Sequence, residues 1–253
     1  MCRHVGYLGP AVSLAELLLE PAHSLLEQTW APNDMRGGGT INADGFGVGW
    51  YRPDGAVARY RAAVPMWTDE SFRQTAADVR SGAVVAAVRS ATVGMPVTPG
   101  ACAPFTDGAW LFSHNGRVTG WPDSLAKLAA GLEVVDLLTL EAATDSALLW
   151  ALLRQRLAEG EEPDRAVREL VCEVVAAAPD SRLNLLLSDG VRLIATTWTH
   201  ALWMRRSEAS VTVASEPFGP ETGWVEVPDR CLLVADTADA RVTSLSELSM
   251  GER

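Results

Sequence analysis

The feature that most restricts the fold is the way the hydrophobic period changes along the chain. Residues 3–8, 46–51, 56–61, 83–88 and 109–113 are short runs of apolar, β-branched and aromatic residues bounded by glycine, proline or polar residues, and they read as strands. Pro53-Asp54-Gly55 turns the second of these back into the third as a hairpin. Between residues 125 and 178 the period lengthens to about 3.6, which predicts helices over 125–132, 145–158 and 165–178. Strands then return at 183–187, 191–198, 202–206, 211–214, 231–235 and 241–243. Shorter helical stretches are expected after the capping box Ser13-x-x-Glu16, at 24–28 and at 71–79. No Ser/Gly- or Pro-rich tract separates the blocks. The expectation is therefore a single α+β domain over residues 1–253, with two packed, mostly antiparallel sheets and helical layers outside.

Composition narrows the partners. With 21 Lys+Arg against 32 Asp+Glu, the net charge of −11 argues against nucleic acid or an anionic membrane as the main partner. No apolar run approaches the roughly 18–20 residues needed to span a bilayer, and no basic-then-apolar leader opens the chain, so a cytoplasmic protein is expected. Cys2, Cys102, Cys172 and Cys231 are far apart and form no CxxC, which suggests neither a disulfide framework nor a zinc site. Nothing in the sequence calls for a metal or an organic cofactor, and it does not reveal the oligomeric state.

Four positions carry chemistry, and each has a plainer alternative. Removal of Met1 would leave Cys2 with a thiol and a free α-amine on one residue. The amine has a reference pKa of about 7.7–8.0 and can take a proton near neutrality, and a thiol needs little activation to attack. The plainer reading of Cys2 is an incidental residue at the start of a buried strand. Arg89 closes an apolar strand, where it either pairs with a surface carboxylate or offers its planar fork to a substrate carboxylate. Asn115-Gly116 is either a type I′ hairpin turn or a pair of donors, side-chain amide and backbone N–H, aimed at one developing oxyanion. Asp145 opens a helix, where it either complements the dipole or meets a substrate ammonium. Together these are the parts required to attack the γ-amide of a glutamyl group. Gly45-x-Gly47-x-Gly49 is not read as a phosphate loop, because no helix follows to offer its N-terminus.

In the order Cys2, Arg89, Asn115-Gly116, Asp145 the chain resembles the class II, N-terminal-nucleophile glutamine amidotransferases. Asn42-Ala43-Asp44-Gly45-Phe46-Gly47-Val48-Gly49-Trp50 is similar to that family's Asp-Gly-x-Gly-x-Gly-Trp strand. His114-Asn115-Gly116 is similar to its oxyanion motif and Thr144-Asp145-Ser146 to its amine-binding motif, with a less specific likeness through Ala214-Ser215-Glu216-Pro217-Phe218. The resemblance implies a four-layer αββα sandwich. It also implies Cys2 as nucleophile and base, Asn115 and Gly116 as the oxyanion site, and Arg89, Thr92, His114 and Asp145 as the substrate-binding set.

Departures from the family pattern are informative. Ammonia-channelling members typically carry His-Thr-Arg-Trp-Ala-Thr-His-Gly, where this chain has Ala87-Val88-Arg89-Ser90-Ala91-Thr92-Val93-Gly94; a downstream His-Pro is Ala103-Pro104 here. Residues 89–96, 102–105 and 111–116 most resemble the branch that hydrolyses a γ-glutamyl amide in ergothioneine biosynthesis. That resemblance implies a stand-alone hydrolase taking glutamate from γ-glutamyl-hercynylcysteine sulfoxide through a Cys2 thioester. The trimethylammonium of such a substrate would suit an aromatic wall, for which Trp30, Trp50, Trp67 and Trp121 stand near loops. Three other readings stay open. They are a glutaminase subunit feeding ammonia to a separate synthetase, a silent binding module that keeps the glutamyl pocket, and a Cys2/His4 metal or dyad site.

Overall fold

The computed structural model describes residues 2–36, 41–220 and 222–245. In chain order its strands are β1 (Arg3–Ser13), β2 (Phe46–Tyr51), β3 (Val57–Ala62), β4 (Arg80–Val88), β5 (Phe105–Asp107), β6 (Trp110–Arg117), β7 (Arg182–Ser188), β8 (Leu193–Thr196), β9 (Trp203–Arg206), β10 (Val211–Ala214), β11 (Trp224–Glu226), β12 (Cys231–Ala235) and β13 (Ala240–Ser244). Its helices are α1 (Leu14–Leu18), α2 (Glu70–Asp78), α3 (Ala126–Ala129), α4 (Val134–Leu138), α5 (Asp145–Ala158) and α6 (Pro163–Ala177). The strands form a seven-stranded sheet, β11-β9-β10-β1-β4-β2-β3, and a six-stranded sheet, β13-β12-β8-β7-β6-β5.

Three apolar layers hold four structural layers together, as expected for an αββα sandwich. Between the sheets lie Leu8, Ala83 and Val85 from the first sheet and Leu111, Leu186 and Leu193 from the second. Leu14, Leu17 and Leu18 of α1 and Phe72 of α2 cover the outer face of the first sheet, with Val5, Val84 and Ala86 beneath them. Leu149, Leu153, Leu170 and Val174 of α5 and α6 cover the outer face of the second, over Phe112, Leu185 and Leu187. The expected capping box opens α1: Ser13 Oγ accepts from Glu16 N at 3.0 Å, and Glu16 Oε2 accepts from Ser13 N at 2.7 Å.

Several expectations are corrected. Asn115-Gly116 is not a turn, because β6 runs on to Arg117 with Asn115 opposite Asn184 and Gly116 opposite Leu183 of β7. The strand that was expected to stop before Gly9-Pro10 continues to Ser13 across a register irregularity between Leu8 and Val12, which accommodates the proline. Residues 125–132 divide into a short 3-10 turn and α3. The irregular 92–107 segment contains β5, and α4 and β11 were not foreseen. The glycines of β2 serve close packing. A Cβ on Gly47 would lie 2.3 Å from Ala103 O, and one on Gly49 would lie 2.5 Å from a Leu111 methyl. Bare backbone on that face lets residues 103–111 lie against β2.

One end of the inter-sheet layer is polar and contains His4 and His200, both almost wholly buried. Burial first, then the charges of His114, His200 and Arg3, push the pKa of His4 down to about 3. Burial first, then Arg182 and Arg3 and in smaller part His114, push His200 down to about 3. Both are therefore neutral when folded and protonate near the ordinary 6.5 when unfolded, so the unfolded chain binds more protons between those values. Stability is then fully present above about pH 6.5 and falls as pH drops toward 3. Urea unfolding should show a slope approaching two protons, at about 1.36 kcal/mol per pH unit each, near pH 5. A flat profile from pH 7.5 to 4.5 would contradict this.

Candidate active site

The site is assembled where β1 begins. Arg3 pairs with Val88 at the end of β4, which sets Cys2 beside the segment that follows β4. Cys2 is half-buried, and its Sγ lies 3.6 Å from Ser90 O. Asp44 and Gly45, just ahead of β2, hold that segment in place. Arg89 N donates to Gly45 O at 2.8 Å, Asp44 N donates to Arg89 O at 3.0 Å, and Ala91 N donates to Asp44 Oδ2 at 2.7 Å. Arg89 Nη1 donates to Pro96 O at 2.9 Å, closing the 89–96 loop. The rest of its guanidinium makes no hydrogen bond or ion pair among the described residues.

Behind Cys2 lies a buried ion pair. Arg3 Nε is 2.6 Å from Glu216 Oε1, and its Nη1 donates to Cys2 O at 3.0 Å while Nη2 donates to Asp34 O. Glu216 also meets His23 Nε2 at 2.7 Å and accepts from Asn33 N at 2.8 Å. Burial alone would raise the Glu216 pKa; the contacts from His23, Arg3 and Asn33 outweigh it and hold the carboxyl below its ordinary value. This network fixes the backbone carbonyl of Cys2, so the strand start is anchored on both sides.

The second sheet reaches this end through β6, whose alternate residues face the first sheet. His4 Nδ1 lies 3.3 Å from Ser113 Oγ, and Asn115 Nδ2 lies 3.3 Å from Ser215 Oγ. Ser215 is itself bonded to β1, donating its N–H to His4 O at 3.0 Å and accepting from His4 N at 3.0 Å. Asn115 is 1% exposed, and its Oδ1 has no donor among the described residues. Half a turn of the amide would exchange its ends at no change of shape, giving Oδ1 the Ser215 hydroxyl and freeing Nδ2.

Thr144 caps α5 by accepting from Ala147 N at 3.2 Å, so Asp145 is the first residue of the helix rather than its cap. The Asp145 carboxylate is buried, accepting from Val118 N at 2.8 Å and Ser146 N at 2.7 Å. It thereby ties the helix start to the segment after β6. Thr92 and Met95 on one side and Arg117, Val118, Thr119 and Trp121 on the other line a cavity of about 410 Å³ that Ala143 also borders. Of the four tryptophans near loops, Trp121 alone lines this cavity. Trp30 and Trp67 pack edge to face at 5.8 Å, and Trp50 lies against the core of the first sheet.

His114 is not brought to this group. Strand alternation sends it to the opposite face of β6 from Asn115, where Nδ1 is 3.0 Å from Ser146 Oγ and Nε2 is 2.9 Å from Arg182 O. Both ring nitrogens are engaged, and in this arrangement His114 braces α5 against β7. Residues that sequence reasoning left without a role are Asp44, Ser215, and the pair Arg3 and Glu216. The runs Asn42–Trp50 and Ala214–Phe218 contain Asp44, Ser215 and Glu216, and neither contains Arg3. Cys102 is a second thiol near Arg89, and burial pushes its pKa up to about 11 despite the nearby Arg89 and Arg61, so it stays protonated. The Cys2/His4 dyad finds no support, since the His4 ring turns to Ser113.

The model of the glutamine amidotransferases, class II, matches residues 26–221. A γ-glutamyl-hercynylcysteine sulfoxide hydrolase of Mycolicibacterium smegmatis is 42% identical over 242 residues, spanning 96% of this chain and 98% of its own length. A protein of the same name from Mycobacterium tuberculosis (strain CDC 1551 / Oshkosh) is 43% identical over 246 residues, 97% of each chain. Among solved structures, a glutamine aminotransferase class-II domain protein from Silicibacter pomeroyi superposes with a TM-score of 0.70 at 24% identity, covering 97% of this chain and 100% of that one.

Proposed function

Since the chain belongs to the class II glutamine amidotransferases, we propose that it is an amidohydrolase that cleaves the γ-glutamyl amide of γ-glutamyl-hercynylcysteine sulfoxide and releases glutamate. The observation that carries this reading is its identity of about 42% to hydrolases of that name along nearly the whole chain. The convergence of Cys2, the Arg89 loop and Asn115 at one end of the sandwich supplies chemistry to match. In this reading residues 1–253 act as one glutaminase-like domain. No helix among the described residues is long and apolar enough to cross a membrane. In this reading the enzyme acts on a small metabolite in the cytoplasm, and its net charge of −11 disfavours nucleic acid as a partner.

The reaction needs Met1 removed, so that Cys2 carries a free amine. The amine takes the thiol proton and the thiolate adds to the γ-carbonyl. Asn115 Nδ2, turned away from Ser215, and Gly116 N–H hold the oxyanion. The C–N bond breaks as the ammonium returns its proton to the leaving nitrogen, giving a γ-glutamyl thioester. Water deprotonated by the same amine adds to the thioester carbon, and the C–S bond breaks to release glutamate. Arg89 and Thr92 bind the glutamyl carboxylate, and Asp145 binds its ammonium.

The test uses untagged protein whose intact mass shows Met1 to be absent. Glutamate release is followed from the sulfoxide and from free glutamine. Rapid release from the sulfoxide and slow release from glutamine is the expected result. Preference for glutamine would overturn the reading in favour of an ammonia-supplying subunit, and tight γ-glutamyl binding without turnover would favour a silent binding module.

A further inference from the structure

β6 and β7 bring two further arginines to the end of the sheet that carries Asn115. Asn115 faces Asn184 and Arg117 faces Arg182 in the antiparallel register. Directly opposed residues share a face of the sheet, so Arg117 and Arg182 lie on the same side as Asn115. They stand two residues beyond it, about 7 Å along the strands. Arg117 also lines the 410 Å³ cavity beside Thr92 and Trp121.

What distinguishes this pair is the lack of a partner. The chain has 32 carboxylates against 21 basic residues, yet among the described residues neither the Arg117 nor the Arg182 guanidinium forms an ion pair or hydrogen bond. Most other arginines do: Arg59 and Arg61 share Glu141, Arg154 meets Asp136, and Arg156 meets Glu173. Two like charges directly opposed across strands repel one another, so an unpaired couple, of which Arg117 stands at the cavity wall, favours an anion between them.

We propose that Arg117 and Arg182 bind a carboxylate of the leaving group, the one on the carbon attached to the scissile nitrogen, and so select γ-glutamyl amides of α-amino acids. The proposal rests on the γ-glutamyl hydrolase reading. With the carbonyl oxygen held at Asn115, that carboxylate lies only a few bonds from it, within reach of guanidinia two residues along the strands. The planar forks suit a carboxylate, whereas a lysine would offer only a point charge.

The experiment compares kcat/KM for γ-glutamyl-hercynylcysteine sulfoxide with that for the analogue in which hydrogen replaces the cysteine carboxylate. Wild-type enzyme should favour the carboxylated substrate by roughly 10- to 100-fold, the value of charge-assisted hydrogen bonds. In the double variant Arg117→Gln/Arg182→Gln the ratio should fall to near one, and Arg117→Lys should give an intermediate ratio. Arg117 is exposed, so Arg117→Gln alone provides a folded variant in which the ratio must still drop. An unchanged ratio in the variants, or no preference in the wild type, would overturn the proposal while leaving the hydrolase reading standing. Failure of wild-type enzyme to cleave either compound would remove the reading and the proposal together.

Discussion

Cys2→Ala enzyme is expected to lose glutamate release by about four orders of magnitude or more, the scale of losing a nucleophile that acts with its base as one unit. The loss should be almost purely chemical. The thiol is half-buried and makes one weak hydrogen bond among the described residues, to Ser90 O at 3.6 Å, so its removal leaves the Arg3–Glu216 anchor and the Asp44 clamp untouched. Melting temperature should therefore stay within a couple of degrees of wild type. An N-terminal extension should have the same kinetic effect without touching the thiol, because it converts the α-amine into an amide that cannot accept a proton. Steady-state kinetics on both proteins checks this. Retention of more than a few per cent of activity in either would contradict it.

Gly116→Ala should damage both fold and catalysis. A Cβ there would lie 1.9 Å from Arg182 O and 2.7 Å from His114 Nε2. The first neighbour is backbone, so β6 and β7 must separate rather than a side chain rotate. Overpacking of this kind costs about 3 kcal/mol or more, which lowers the melting temperature by roughly 10 °C in a chain this size. The same displacement moves the Gly116 N–H and the neighbouring Asn115, and the loss of one oxyanion donor lowers turnover on the order of 10²- to 10³-fold. Asn115→Ala adds no atoms and should show the kinetic loss with a much smaller drop in melting temperature. Calorimetry with turnover measurements separates the two, and a Gly116→Ala protein as stable and active as wild type would refute the arrangement.

Much of the fold is legible wherever the pattern is long and locally consistent. The apolar spacing over 145–158 matches the 14-residue α5 end to end, and the Ser13/Glu16 capping box appears as read. Local signals fail where distant partners outvote them. Asn115-Gly116 has the composition of a hairpin turn, but pairing with Asn184 and Leu183 keeps it in a strand. Gly9-Pro10 looks like a stop, yet β1 resumes because Ser81 and Arg80 continue to pair with Val12 and Ser13. The site follows the same rule. Cys2, Arg89 and Asn115 were legible through motif order, whereas Glu216 could not be assigned to Arg3, 213 residues away, until the fold placed them together. The placement of His114 away from Asn115 follows from the strand itself, since adjacent residues of a strand face opposite ways.

A covalent γ-glutamyl thioester on Cys2 is tested by the intact mass of the enzyme, acid-quenched during rapid turnover of γ-glutamyl-hercynylcysteine sulfoxide. One added γ-glutamyl group is expected, located on the N-terminal peptide and absent from Cys2→Ala protein. A wild-type enzyme that turns over with Cys2 unmodified at every quench time, together with a Cys2→Ala enzyme that still releases glutamate, would contradict it.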